Sequence, residues 1–201
     1  MLSDLATLKF TSECPTQKDY PPLETHISRL NDYLSFFNPA GQISEWGAPH
    51  GNFSRAIPAV IAQSLRKDCL WISNRTDLKF YPTSWFDLGF DLSKIHFMVY
   101  EKPFKIIRTA INEETYQLLI IDSAEFITPA EINYLASSAR QKNLSIFILR
   151  HFFLSNRNGN PFSKYRFNSD FSLRTNSFSL SSVKGKNTHK LKLNIKEVFN
   201  G

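Results

Sequence analysis

The chain has 201 residues, a formal net charge of +6 and 42% hydrophobic residues, enough for one medium-sized domain whose core needs no disulfides. Its two cysteines, Cys14 and Cys69, have no neighbours at metal-ligand spacing, which argues against a disulfide-rich secreted scaffold and favours a reducing cytoplasm. The sequence has no run of eighteen apolar residues and no basic start followed by an apolar stretch, so we expect neither a membrane span nor a secretory signal.

The first predicted element is an extended arm over residues 1–22, which contain several prolines and show no sustained periodicity. We expect this arm to wrap a neighbouring molecule, which includes the case of a homo-oligomer. A single domain is predicted over residues 23–201. Its first segment, residues 27–37, has apolar residues at helical spacing and predicts a short amphipathic helix.

A strand predicted over residues 41–47 leads through a loop into a helix predicted over residues 55–65. Strand, loop and helix are the setting of a phosphate-binding loop, whose pattern is G-x-x-x-x-G-K-[ST]. Counted from the first glycine, this loop keeps the final hydroxyl and lacks the lysine. The candidate residues of the loop are Gly47, Gly51, Asn52, Phe53 and Ser54.

The substitution that decides the interpretation of this loop is Phe53, which stands at the lysine position. A phenylalanine cannot replace an ammonium group that faces a polyphosphate. Asn52 can adopt a positive φ, but Gly51 stands one place too early. We therefore predict a degenerate loop that keeps its shape, binds no cofactor and supports no hydrolysis. Within it, His50 is a candidate for capping a helix or binding an anion.

Strands and helices continue to alternate through the middle of the chain. Parallel neighbouring strands require crossover connections, so this alternation predicts an α/β fold with a mostly parallel sheet and helices on both faces. Strands are predicted over residues 69–72, 95–99, 117–121 and 145–149, and helices over residues 84–88, 103–112 and 130–141.

The segment Gln117–Ile127 has the layout of a Walker B strand, because four consecutive apolar residues deliver the carboxylate of Asp122 to the strand end. In parallel sheets, functional side chains lie where strands end. The alternative is an ordinary core strand whose Asp122 caps the next helix through the segment Thr128–Glu131.

Past Arg150 the pattern changes. A loop over residues 151–166 precedes three segments that alternate like antiparallel strands, residues 167–173, 177–183 and 190–195, with a hairpin turn over 184–187. We therefore predict that the sheet gains an antiparallel C-terminal extension.

The last third of the chain is strongly basic. Residues 1–139 contain 12 Lys and Arg against 16 Asp and Glu, whereas residues 140–201 contain 12 against 2. Such segregation is typical of a surface for phosphate or another acidic partner, and a solvated basic tail is the alternative. The candidate contact residues are Arg150, Arg157, Lys164, Arg166, Arg174, Lys184 and Lys186.

Aromatic residues are interleaved with these cations, a composition suited to single-stranded nucleic acid, where cations follow phosphates and rings stack on bases. A protein partner is an equal alternative. Phe167 and Phe171 are expected in the core of the new strands, and the lysines of the hairpin can equally protect an exposed sheet edge.

The five histidines show no metal-ligand spacing, and neither a nucleophilic serine nor a carboxylate pair stands out. We expect no metal site and no catalytic residues.

The order of segments resembles the RecA recombinase core over roughly residues 23–196. Leu23–Leu34 is similar to the family's lead-in helix, Leu88–Ile95 to its linker into the third strand, and Asp122–Ile132 to its Walker B segment with the following turn. Gly159-Asn-Pro161 falls in the region of the family's DNA-binding loops. The resemblance implies a three-layer RecA-like fold.

The same resemblance places Asn74 or Arg75 where the family presents a catalytic glutamate, and neither can act as a general base here. Together with the degenerate loop, this departure implies a fold without the ATPase, in which Asp122 is structural.

Within the RecA-like group the chain looks most like ImuA, a family associated with SOS mutagenesis and translesion synthesis, and Tyr81–Leu92 carries that similarity. It implies a cytoplasmic, non-catalytic accessory whose partner is RecA recombinase or a polymerase-like ImuB-type protein, with single-stranded DNA as a further contact. The related alternative is SulA, a cell-division inhibitor that Tyr116–Arg150 resembles. A RecA-like protein that still binds ATP is the remaining alternative.

Overall fold

The computed structural model describes residues 23–50, 53–75, 85–86, 89–123, 127–185 and 189–199. The predicted arm over residues 1–22 lies outside them. Within the described residues, eight strands form one sheet. The strands are β1 (Ile43–Gly47), β2 (Cys69–Ser73), β3 (Ile95–Val99), β4 (Leu118–Asp122), β5 (Ser145–Arg150), β6 (Tyr165–Ser172), β7 (Ser177–Lys184) and β8 (Lys190–Asn194).

Four helices match predicted segments in the predicted order. They are α1 (Ser28–Tyr33), α2 (Ala56–Ser64), α3 (Pro103–Asn112) and α4 (Pro129–Lys142). A further helix, α5 (Ile195–Phe199), was not predicted, and the helix predicted over residues 84–88 lies largely outside the described residues. Only α1 is markedly shorter than its predicted segment, because the chain turns after Tyr33. Leu34 and Phe37 are nevertheless buried, so the apolar residues of that segment belong to the core even where the chain is no longer helical.

The sheet has the order β3-β2-β4-β5-β1-β6-β7-β8. Strands β1 to β6 pair in parallel, whereas β7 pairs antiparallel with both β6 and β8. These pairings confirm the predicted α/β architecture, a mostly parallel sheet with an antiparallel C-terminal extension.

The two faces of the sheet bury different side chains. On the first face, α1, α2 and α5 pack on an aromatic core in which the ring of Phe37 contacts Trp46, Phe147 and Phe167. On the second face, α3 and α4 cover an aliphatic core built mainly from isoleucine and leucine. Phe171 is also buried, so the prediction that it and Phe167 belong to the core is confirmed.

Helix α4 starts with a capping box formed by Thr128 and Glu131, and not with Asp122 as the cap. The Thr128 hydroxyl accepts the amide of Glu131, and the Glu131 carboxylate accepts the amide of Thr128. The helix start therefore does not need Asp122, which leaves that carboxylate for another role.

Across the described ranges, none of the helices combines the length and the apolar character that crossing a bilayer requires.

Candidate functional site

The predicted Walker B carboxylate, Asp122, lies at the carboxyl end of β4 and is paired with Arg55. The Arg55 Nε and Nη2 atoms donate to the two Asp122 oxygens, each at 2.7 Å. This is a bidentate ion pair, the strongest geometry for a guanidinium and a carboxylate. Both side chains are largely shielded, at 15% and 5% exposure, so the pair is only weakly screened by solvent.

Arg55 also closes the degenerate loop from within. It is the N-cap residue of α2, and its Nη1 atom donates to the backbone oxygens of Ala48 at 2.8 Å and Pro49 at 3.3 Å. The Ser54 hydroxyl donates to the same Pro49 oxygen at 2.5 Å. One guanidinium therefore joins the loop, the start of α2 and the end of β4.

Two further side chains fix Asp122. The Trp71 indole nitrogen donates to Asp122 Oδ2 at 3.2 Å, and the Ser123 hydroxyl donates to Oδ1 at 3.3 Å. Ser123 Oγ also lies 3.1 Å from His50 Nε2. Asp122 thus has a partner on each oxygen in addition to the guanidinium.

The candidate anion ligand of the loop, His50, forms part of this network and does not cap α2. Its ring stacks on that of His151, with centroids 5.8 Å apart and an interplanar angle of 8°. Burial lowers the pKa of His50, the positive charge of Arg55 lowers it further, and Asp122 acts in the opposite direction. The neutral imidazole is therefore favoured, which weakens the case for His50 as an anion ligand.

Phe53 occupies an unusual position for a bulky residue. Its φ is +51°, its side chain is 55% exposed, and its ring meets Phe171 edge-on at 5.9 Å. Such a backbone conformation is costly for a residue with a Cβ. Gly51 and Asn52, the neighbouring candidates, lie outside the described residues.

Gly47, the first residue of the loop pattern, serves packing. A Cβ there would lie 2.2 Å from Asn168 Oδ1 and 2.8 Å from the backbone oxygen of Phe152. The close approach of neighbouring chain segments therefore requires a glycine at this position. Phosphate binding is not needed to explain it.

Magnesium-bound ATP does not fit this arrangement of residues. A divalent cation would take its ligands from Asp122 and Ser54, as in a working loop. Here a guanidinium neutralises Asp122, and the Ser54 hydroxyl is hydrogen-bonded to the loop itself. A magnesium ion would have to displace Arg55 from Asp122, and the loop would still lack the lysine that contacts the phosphates.

A second ion network lies under the basic loop, around Glu45 of β1. The fully buried Glu45 carboxylate accepts from Arg150 Nε at 2.9 Å and from the amide of Asn160 at 2.7 Å, and Arg166 Nε lies 3.6 Å away. Arg166 Nη2 donates to the backbone oxygen of Asn160 at 2.6 Å. The network therefore attaches the loop over residues 151–164 to the sheet.

This network changes the role of two predicted contact residues. Arg150 and Arg166, whose side chains are only 12% and 8% exposed, are counter-charges of Glu45. The expectation that they contact phosphate conflicts with this placement, because binding would separate a buried carboxylate from its cations.

The remaining candidates are divided among three places. Arg157, Lys164 and Arg174 are exposed, with Lys164 Nζ lying 5.2 Å from the ring centroid of Tyr165. Lys184 Nζ donates to the backbone oxygen of Ser163 at 2.8 Å, so it braces the end of the loop. Lys186 lies outside the described residues.

Asn168 holds the other end of the loop. Its side chain accepts from the amide of Leu154 at 2.7 Å and donates to the backbone oxygen of Leu154 at 2.9 Å. Between these fixed points, Phe152, Phe153 and Phe162 are 38%, 50% and 50% exposed. The loop thus presents aromatic side chains and cations from a rigid base.

Sequence reasoning missed Arg55, Glu45 and Asn168. A signal existed for Glu45, because a carboxylate in the middle of a predicted buried strand needs a counter-charge. Arg55 carries a weaker signal, as a cation two places after the missing lysine. Among the described residues no group of three or more potential metal ligands is found.

Comparison with known proteins identifies the fold. No protein-family model matches the sequence, and no curated protein matches it. The crystal structure of the RadB recombinase is similar to this chain, with a TM-score of 0.69 and 12% identity, and the similarity covers 88% of this chain and 97% of that one. The chain has a RecA-like α/β fold, as its sequence predicts.

Proposed function

We propose that this chain is a RecA-fold binding protein that does not hydrolyse nucleotides. The observation that carries the proposal is the bidentate ion pair between Arg55 and Asp122, which places a guanidinium beside the Walker B carboxylate. The Arg55 guanidinium neutralises the Asp122 carboxylate, so it stabilises the arrangement without nucleotide and competes with magnesium for this carboxylate. The phenylalanine at the lysine position removes the group that would reach the terminal phosphates.

The test of this proposal is a titration of the intact protein with fluorescent ATP and magnesium, together with an assay of phosphate release. We expect no binding in the micromolar range and no turnover. An Arg55→Ala variant, which opens the loop without restoring the lysine, should also show no turnover. Micromolar ATP affinity with turnover in the wild type would refute the non-catalytic function.

We further propose a role as an accessory in the DNA-damage response, resembling ImuA in translesion mutagenesis. The RecA-like fold and the exposed loop over residues 151–164 support this role. The expected protein partner is RecA recombinase or a polymerase-like ImuB-type protein, bound in the cytoplasm. Single-stranded DNA is the expected nucleic-acid contact, through Arg157, Lys164 and the exposed phenylalanines.

Affinity purification of the tagged chain from cells with damaged DNA tests this role. Recovery of a recombinase or a polymerase-like protein, increased by damage, is the expected result. Filamentous cells on overexpression, with no dependence on DNA, would favour cell-division inhibition as in SulA and would contradict the accessory role.

A further inference from the structure

A groove of about 640 Å³ lies between α3 and α4, on the second face of the sheet. It is separate from both ion networks and from the basic loop. Its lining includes two apolar residues, Pro103 and Phe104, and the Phe104 ring meets Tyr134 of α4 edge-on at 5.9 Å. The groove thus combines an apolar contact from the start of α3 with a mainly polar and charged lining.

The wall formed by α3 is positively charged. Lys102, Lys105 and Arg108 line the groove and are exposed, while the opposite side of the helix is buried in the aliphatic core. Arg108 is held in place, since its guanidinium carbon lies 5.3 Å from the ring centroid of Tyr134. A cation with a fixed orientation loses less freedom when it binds a carboxylate.

The two carboxylates at the groove do not balance these cations. Glu131 Oε2 accepts from the amide and the hydroxyl of Thr128, both at 2.8 Å, and so belongs to the capping box of α4. Glu101 lies at the rim and is exposed. The groove therefore has an excess of positive charge along α3, beside the apolar side chains of Pro103 and Phe104.

We propose that this groove binds an acidic segment of a partner protein, with carboxylates on Lys105 and Arg108 and an apolar side chain against Phe104. A peptide fits this lining better than nucleic acid, because it can place single carboxylates at Lys105 and Arg108 and uncharged residues opposite Glu101 and Glu131, whereas a phosphate backbone is charged along its whole length. The spacing of Lys105 and Arg108, one turn apart on a helix, presents two cations about 4.5 Å apart along the axis. The site goes beyond the proposed function and uses none of the loop residues.

The experiment uses the intact protein and a fluorescein-labelled peptide of alternating Glu and Leu, measured by anisotropy. We expect saturable binding that weakens as salt is raised, and about tenfold weaker binding to a Lys105→Glu/Arg108→Glu variant. The matched control is Lys190→Glu/Lys192→Glu on β8, which makes the same change in net charge and should bind within about twofold of the wild type. Thermal unfolding of all three proteins verifies that they are folded.

Three outcomes overturn the proposal. The first is no saturable binding of the peptide at low salt. The second is an equal loss in both double variants, which would mean that net charge and not the groove governs binding. The third is binding of a thymidine 20-mer that the α3 variant loses and the β8 variant keeps, which would assign the groove to nucleic acid. Because Lys105 and Arg108 lie outside the nucleotide loop, failure here leaves the ATP titration unaffected.

Discussion

Two buried ion networks, both within the described residues, differ in their ratio of guanidiniums to carboxylates. At the end of β4, one guanidinium, Arg55, neutralises one carboxylate, Asp122. Under the basic loop, one carboxylate, Glu45, is shared by the two guanidiniums of Arg150 and Arg166. The first network has one guanidinium for its carboxylate and closes a loop, whereas the second has two guanidiniums for one carboxylate and supports a loop.

This difference indicates which network tolerates disruption. The Asp122 pair is partly open to solvent on the Arg55 side, so water can solvate a released guanidinium. Glu45 has no exposed surface, and its loss would leave two shielded cations close together. Repulsion between like charges in a poorly solvated site is then added to the missing attraction.

The largest effect is therefore expected from Glu45→Gln, which keeps the shape of the side chain and removes its charge. We expect the free energy of unfolding to fall by about 3–5 kcal/mol, the usual cost of removing one partner from a buried ion pair. Urea denaturation followed by tryptophan fluorescence measures this change.

Glu114→Gln is the matched control, because Glu114 also pairs with a cation, Lys142 Nζ at 2.7 Å, but on the surface. A far smaller change is expected for it. Equal effects of the two substitutions would mean that the Glu45 network is not the anchor of the loop.

A smaller effect is expected from Asp122→Asn, which weakens the pair with Arg55. The free energy of unfolding should fall by about 1.5–3 kcal/mol, the range for hydrogen bonds to charged groups. A double-mutant cycle with Arg55→Ala measures the coupling, which we expect to favour the pair by about 1–3 kcal/mol. A coupling near zero would show that Arg55 does not depend on Asp122, and the closed loop would lose its explanation.

The two networks also explain how far the sequence predicts this protein. The periodicities predict the element order and the parallel sheet, because burial of strands and helix faces is a local property of the sequence. Each ion network joins residues that are distant along the chain. In each, sequence analysis identified one side of the pair, Asp122 or the two arginines, and missed the partner that decides its role.

In nucleic-acid binding, too, the exposed cations are expected to behave differently from those buried beside Glu45. Arg157→Glu/Lys164→Glu should reduce affinity for a thymidine 20-mer and lower the salt slope by about 1.4, at about 0.7 per lost phosphate contact on a single strand. Fluorescence anisotropy at several salt concentrations measures both quantities, and stability should be unchanged.

Arg166→Glu is the contrasting variant in that experiment. It places a second carboxylate beside Glu45, so it should destabilise the fold before any effect on DNA can be assigned. If the wild type shows no binding to the oligonucleotide even at low salt, a protein becomes the sole expected partner of the loop.

The smallest effect concerns pH and the neutral network around Asp122. Burial and Arg55 lower the pKa of His50, so the unfolded chain binds a proton there more readily than the folded chain. The contribution of neutral His50 is thus fully present above about pH 6.5 and is lost as the pH falls below that value. Because His50 is partly exposed, solvent screening keeps this contribution below about 1 kcal/mol.

His50→Gln should therefore flatten the decline of the free energy of unfolding between about pH 6.5 and pH 5. His96→Gln is the control, since His96 lies exposed on β3, away from Arg55. Urea denaturation across this pH range gives the comparison. An identical decline in all three proteins would mean that folding does not lower the pKa of His50. A flatter decline in His50→Gln alone would mean that the folded protein disfavours the protonated imidazole, as its burial and the positive charge of Arg55 predict.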